Sequence, residues 1–221
     1  MKFYNKVILS ALVFIPSISL AELSGNIGYV SDYVYRGIYQ EESSASFGVD
    51  YESEAGLYVG TWMADVGDGI ESDFYAGFSG SSGDFNYGLG VTGYYYSDGW
   101  DNAYEEANLS LGYGFITLDY ADGKYKAPTE TSYTVTSITI DTPVGLYITS
   151  GSFGADSSGD WTEIGYGVEL DSGVGMSIAL INSDNLGVTQ DNSSAVHINN
   201  SAINTTPSNQ LVFGVSYGFG L

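Results

Sequence analysis

The stretch Leu211-Val212-Phe213-Gly214-Val215-Ser216-Tyr217-Gly218-Phe219-Gly220-Leu221 decides the fold. Leu211, Phe213, Val215, Tyr217, Phe219 and Leu221 share one face of an extended strand, and Gly214, Ser216, Gly218 and Gly220 share the other. Successive side chains of a strand point to opposite faces, so alternation with period two marks a strand with one apolar face. The pattern recurs upstream. Phe85, Tyr87, Leu89 and Val91 alternate with Asn86, Gly88, Gly90 and Thr92. Ile164, Tyr166, Val168 and Leu170 alternate with Glu163, Gly165, Gly167 and Glu169. Helical periodicity is nearly absent from about residue 24 onward.

Twelve such segments are expected, near 24–36, 44–53, 56–64, 73–80, 85–96, 104–113, 115–121, 131–141, 146–153, 161–170, 174–182 and 209–221. Short links at Glu54-Ala55, Ser81-Ser82-Gly83, Gly114, Thr142-Pro143-Val144 and Asp171-Ser172-Gly173 separate longer ones near 37–43, 65–72, 97–103, 122–130, 154–160 and 183–208. Short and long links alternate throughout. Strands of about ten residues joined in this way fit an up-and-down antiparallel outer-membrane β-barrel, with short periplasmic turns and long outer loops. In hydrocarbon every backbone polar group must be paired, so a sheet there has to close. An even strand count sets both ends of the barrel on the periplasmic side. Ten or fourteen strands are the alternatives, because residues 56–64 carry apolar groups on both faces. A soluble sandwich or lipocalin-like barrel also alternates, but its apolar face must fill a core. Here the polar face is rich in Gly and Ser, which suits a wet interior and a lipid-facing exterior. Trp62, Trp100 and Trp161 fall at long-loop ends, where an interfacial aromatic girdle is expected.

Residues 1–21 have the order of a secretory signal peptide. Lys2 and Lys6 begin it, Val7 to Ile15 form its apolar centre, and Ser19-Leu20-Ala21 a small-x-small end. The apolar centre is too short for a membrane-spanning helix, which needs about 20 residues. Residues 22–221 are then one exported barrel domain. Its bases are Arg36, Lys124 and Lys126 against 27 acids, a net charge of −24 where the full chain carries −22. That balance argues against nucleic-acid partners, which require clustered Lys and Arg. No cysteine is present, so disulfide scaffolds, thiol redox chemistry and cysteine zinc sites are excluded. Aromatics at 15% and hydrophobic residues at 43% argue against disorder.

Ser31-Asp32-Tyr33-Val34-Tyr35-Arg36-Gly37, Phe47-Gly48-Val49-Asp50-Tyr51 and Gly56-Leu57-Tyr58-Val59-Gly60-Thr61-Trp62 resemble the TorF-type porin family of proteobacterial outer-membrane barrels. The likeness is strong over 24–80 and looser beyond. It implies a barrel in the Gram-negative outer membrane with a porin role. Family members usually end in an aromatic residue that the barrel-assembly machinery reads, whereas this chain ends Phe219-Gly220-Leu221.

With the apolar face outward, parity sends Asp32, Arg36, Asp50, Glu52, Asp73, Glu106, Asp119, Asp141, Glu163 and Glu169 into the lumen as channel-lining residues. Nine acids and one arginine concentrate cations and repel anions. Inward glycines such as Gly48, Gly77, Gly88, Gly90, Gly165 and Gly167 are expected to widen the tube. The expected function is passive diffusion of small hydrophilic solutes, cations preferred, with outer-membrane lipid, lipopolysaccharide and the assembly machinery as partners. The alternative is a closed structural or receptor barrel, its charges forming a plug around Arg36. As a structural residue, Arg36 is expected to bridge Asp32 or Asp50.

No catalytic, cofactor or metal site is expected. A lipid-acting barrel enzyme is the third class, and its base would be the lone His197, near Asp191, Ser193 and Ser194 in the loop 183–208. A mobile loop seldom holds a triad in productive geometry. Gly88-x-Gly90-x-x-Gly93 matches a dinucleotide fingerprint but lies in a strand with no helix after it. Asp65-Val66-Gly67-Asp68-Gly69-Ile70-Glu71 hints at calcium without the EF-hand spacing.

Overall fold

The computed structural model describes residues 22–188 and 209–221. The expected leader at 1–21 and most of the loop at 183–208, His197 included, lie outside the described residues. The described chain is twelve strands: β1 (Glu22–Tyr35), β2 (Ile38–Glu52), β3 (Leu57–Asp65), β4 (Ile70–Ser82), β5 (Phe85–Tyr96), β6 (Tyr104–Tyr113), β7 (Ile116–Tyr125), β8 (Thr131–Asp141), β9 (Leu146–Ala155), β10 (Ser157–Glu169), β11 (Val174–Val188) and β12 (Asn209–Gly220). Each pairs antiparallel with its neighbours in sequence, and β1 pairs with β12 from Ser24↔Gly220 to Val30↔Gly214. The barrel is closed. Leu221 N donates to Leu23 O at 2.9 Å, the last link of the seam.

Parity follows the sequence. Leu89 and Val91 on β5, Ile164 and Tyr166 on β10, and Leu211, Phe213 and Val215 on β12 all face outward and are exposed, as are Leu57 and Val59 on β3. The ambiguous third strand thereby resolves, with Tyr58, Trp62 and Ala64 inside. Apolar outside and polar inside inverts a water-soluble barrel and matches one surrounded by lipid.

Three expectations change. The first is the link at 37–43, which is not a long loop. β1 and β2 meet in the two-residue turn Arg36-Gly37, with φ of 50° and 79°. Positive φ at both central positions gives a type I′ turn, whose twist matches paired strands. The wall explains where this hairpin goes. β1 leaves β12 after Val30, and β2 leaves β3 beyond Ser46↔Ala64, yet β1 and β2 stay paired to Tyr35↔Ile38. Free of both neighbours, the hairpin folds into the lumen. A bulge between Tyr33 and Val34 accompanies the bend. Alternation then fails, because a ribbon inside a barrel meets wall on both faces. Tyr33 packs on Ala64 and Val66, while Val34 packs on Ala179, Ile181 and Val212. The link at 154–160 likewise shrinks to Asp156, between β9 and β10.

The second change concerns aromatics. Trp62 and Trp161 do not join an interfacial girdle; both lie on inner-face positions, Trp161 at 4% exposure. Tyr75, Tyr94, Tyr125, Tyr133 and Tyr147 are buried inside as well.

The third change explains the second. Many inner glycines seat rings from adjacent strands instead of widening the tube. Tyr147 lies over Gly165, Tyr133 over Gly123, Trp161 over Gly151, Tyr75 over Gly60, and Tyr58 over Gly77 and Gly90. Most of these are directly opposed pairs. Gly48 likewise receives Asn26. Gly88 is different, since a Cβ there would meet only Ser110 Cβ at 3.8 Å. A side chain where a ring must lie forces off-rotamer shifts costing about 1–3 kcal/mol. Gly165→Val is expected to lower stability by about that amount in urea unfolding from lipid vesicles, and Gly88→Ala to change it by less than about 0.5 kcal/mol. Equal effects would mean that the rings do not depend on their glycines.

Candidate functional site

The lumen is the site, and its chemistry is carboxylate and phenol. Asp50, Glu52, Asp73, Glu106, Asp119, Asp141, Glu163 and Glu169 take inner-face register positions. Asp50 on β2 accepts hydrogen bonds from Tyr75 Oη and, at 3.3 Å, from Asn26 Nδ2. Glu163 on β10 is 1% exposed and accepts from Tyr147 Oη. Asp73 on β4 is also 1% exposed. Asp119 stands between Ser110 and Ser137 on the adjacent strands, and Asp141 opposite Tyr147. Glu52 and Glu169 sit at the short-turn rim, Glu169 exposed. Asp32 is on the hairpin and accepts from Ser31 Oγ at 2.9 Å.

A buried inner carboxylate escaped the sequence reading. Glu71 belongs to β4 rather than to a loop, and at 2% exposure it accepts from Tyr33 Oη at 3.0 Å. Its separation of two from Asp73 was the available signal, since such residues share a strand face.

The hairpin tip organises the outer third of the lumen. Arg36 bridges neither Asp32 nor Asp50. Its Nη1 and Nη2 donate to Glu106 Oε2 and Oε1 of β6, both at 2.9 Å. The inward fold of the hairpin carries Arg36 across the barrel, away from the acids nearest it in sequence. Glu106 also accepts from Tyr94 Oη at 2.7 Å, Asn108 Nδ2 at 2.7 Å and Tyr133 Oη at 3.0 Å. Tyr94 gives its single proton to Glu106, so in its 2.8 Å contact with Tyr35 the Tyr35 hydroxyl is the donor. On the opposite side Ser183 Oγ of β11 donates to Gly37 O at 2.6 Å. Trp161 packs so closely on Gly37 that a Cβ there would overlap it. The tip thus touches β5, β6, β10 and β11, and crosses the lumen.

The other two described cations are spent at the outer rim. Lys124 donates to Glu130 at 2.7 Å, and Lys126 bridges Glu130 at 3.0 Å and Glu105 at 3.1 Å. Hydrogen bonds from Lys124 and then Lys126 hold the Glu130 carboxyl below its ordinary value. The calcium-like run at 65–71 is turn chemistry, for Asp65 Oδ1 accepts from Gly67 N at 2.8 Å. Among the described residues no group of three or more His, Cys, Asp or Glu is placed to hold a metal ion.

Breaking a buried ion pair strands its partner at a cost of about 3–5 kcal/mol. Glu106→Gln is therefore expected to cost about 3 kcal/mol or more in the native background, but only about 1 kcal/mol when Arg36 is already Met. A double-mutant cycle by urea unfolding in vesicles measures this coupling. Equal costs in both backgrounds would show that the hairpin is held by other contacts.

Solved structures share the architecture. A KdgM porin structure superposes with a TM-score of 0.57 at 9% identity, covering 89% of this chain and 99% of that one. A structure from work on the in-meso crystallization of membrane proteins has a TM-score of 0.57 at 8% identity, covering 90% and 84%. OccK2 of Pseudomonas aeruginosa is similar at 16% identity with a TM-score of 0.41, covering 87% of this chain and 62% of its own. At such identities the likeness to the first two is one of fold. No curated protein matches the chain in sequence. A family model does, over residues 17–219, and this barrel therefore belongs to Gcw_chp, a family of bacterial proteins of unknown function.

Proposed function

We propose that the chain is an outer-membrane pore for passive diffusion of small hydrophilic solutes, with cations preferred. One observation carries the reading. The inner face presents Asp50, Glu52, Glu71, Asp73, Asp119, Asp141, Glu163 and Glu169 in addition to Glu106, while all three described cations are matched locally by Glu106, Glu130 and Glu105. A tube lined in this way holds a negative field that gathers cations and raises the barrier to anions. The apolar outer band supports residence in the outer membrane, in contact with lipid and lipopolysaccharide after export on residues 1–21 and insertion by the assembly machinery. The Ser31–Gly37 motif, which resembles that of TorF-type porins, supports the same assignment. Its Arg36 and Gly37 form the hairpin tip that narrows the passage. The activity is transport without catalysis.

The second reading is a closed structural or receptor barrel. It is favoured by the tip crossing the lumen and by the depth at which Glu71, Asp73, Glu106 and Glu163 are buried. The lipid-acting enzyme has His197 as its base, outside the described residues.

Planar-bilayer recording under a potassium chloride gradient separates the readings. A pore gives discrete conductance with a cation-sided reversal potential, which falls toward zero as the bath is acidified, because protonation removes the fixed negative charge. No conductance in either the native protein or Arg36→Ala establishes the closed barrel, and an anion-sided potential overturns the cation preference. Arg36→Ala is further expected to raise single-channel conductance, by releasing the tip from Glu106.

A further inference from the structure

Between the hairpin tip and the wall of β5 to β10 lies a cavity of about 660 Å³, its open mouth included. It faces the long-loop side. Tyr35 and Arg36 bound it from the tip, and Tyr104, Tyr125, Tyr133 and Asp101 are among the groups across from them. The hydroxyls are already engaged at the wall. Tyr104 and Tyr125 donate to Asp101 Oδ2 and Oδ1 at 2.8 and 2.7 Å, and Tyr133 donates to Glu106 at 3.0 Å. What remains toward the cavity is ring surface. Tyr104 lies 4.6 Å from Tyr125 and 6.0 Å from Tyr133, centroid to centroid, the second pair edge to face. Tyr104 and Tyr125 lie 32° from parallel and Tyr133 stands edge-on to Tyr104, so the three rings line this cage at different angles.

The charges around this cage decide what it suits. The Arg36 charge is matched by Glu106, and the guanidinium itself lies 4.8 Å from the Tyr35 ring centre. Asp101 adds a formal negative charge. Ring faces are negative in their quadrupole and attract a weakly hydrated cation, most strongly where water is excluded. A strongly hydrated metal ion needs oxygen ligands instead. A sugar would find the tyrosine protons already given to carboxylates, with Gln40, Thr131 and Ser157 as the other polar side chains of the lining. A carboxylate would meet Asp101.

We propose that this vestibule is a binding site for an organic cation of the quaternary alkylammonium class. As the outer station of a pore it rests on the cation-preferring reading and names the kind of cation that reading admits. Binding itself requires no open lumen.

The test uses the mature barrel refolded in detergent, titrated with choline and separately with 3,3-dimethyl-1-butanol, its uncharged isostere, and followed by intrinsic tyrosine and tryptophan fluorescence. Choline is expected to saturate, and the isostere to bind about tenfold more weakly, within the range of cation–ring attraction. Tyr104→Leu should weaken choline by about tenfold, whereas Tyr104→Phe, which keeps the ring, should stay within about twofold. Equal binding of choline and isostere, tighter binding of maltose than of choline, or no binding at all would overturn the proposal. The native comparison decides even if Tyr104→Leu fails to fold. A barrel that binds choline yet shows no cation-sided reversal potential refutes the pore reading alone. A cation-selective pore indifferent to choline refutes the site alone.

Discussion

Closure of the backbone hydrogen-bond ring is the constraint from which the rest of this molecule follows. In hydrocarbon each unpaired N–H or C=O costs several kcal/mol, so the sheet can have no edge. The Ser24↔Gly220 to Val30↔Gly214 register removes that edge, and the Leu221 N to Leu23 O bond completes the seam. Phe219 contributes on the lipid side, lying over Gly25, its direct partner on β1. A ring laid over a glycine covers backbone that the glycine cannot cover itself. Once the apolar face is given to lipid, hydrophobic burial inside is confined to local clusters such as Val34 with Ala179, Ile181 and Val212. The inside must be held by hydrogen bonds and by rings seated in gaps, as Tyr147 over Gly165 and Tyr133 over Gly123 are.

The same constraint accounts for the hairpin. A strand that runs past its neighbours has unpaired backbone groups on its outer edges and must rise into water or turn inward. Here Ser31 Oγ accepts from Phe213 N at 3.0 Å where β1 departs, capping the seam. Beyond it the ribbon turns inward and ends at a buried charge. A guanidinium inside a barrel is costly unless its donors meet acceptors. Glu106 supplies both oxygens, and Tyr94, Asn108 and Tyr133 hold that carboxylate in place. A non-glycine residue in the left-handed region adds a local cost of about 1 kcal/mol at Arg36. The tip is thus fixed by several contacts acting together against two unfavourable terms.

The wall was legible in the sequence because period two is a direct consequence of strand geometry, and lipid enforces it at every outward position. The twelve segments, the outward set such as Leu89 and Val91, and the inward parity of Asp73, Glu106 and Glu163 all follow from it. The interior above the wall was not legible. Nothing local distinguishes a two-residue Arg-Gly turn from the start of a loop, and the partner of Arg36 lies 70 residues away. Parity also breaks at Tyr33 and Val34, where the ribbon meets wall on both faces. Glycine was misread for a related reason. Its lack of a side chain implies open space only if no neighbouring ring fills the gap, and the ring above Gly165 belongs to Tyr147 on another strand.

The arrangement of charge then has a consequence for how such a lumen works. Among the described residues the cations are Arg36, Lys124 and Lys126, and each is held by acids within about one residue's reach at the tip or rim. One guanidinium meets one carboxylate, that of Glu106, at the tip. The excess negative charge lies on the wall on either side of it, at positions such as Asp50 and Asp119 toward the short turns and Asp101 toward the long loops. A constriction and a selectivity field are usually pictured as one ring of residues. In the pore proposed above, size exclusion would belong to a hairpin that entered from one seam and sign preference to the wall, so the two properties could vary independently through different residues.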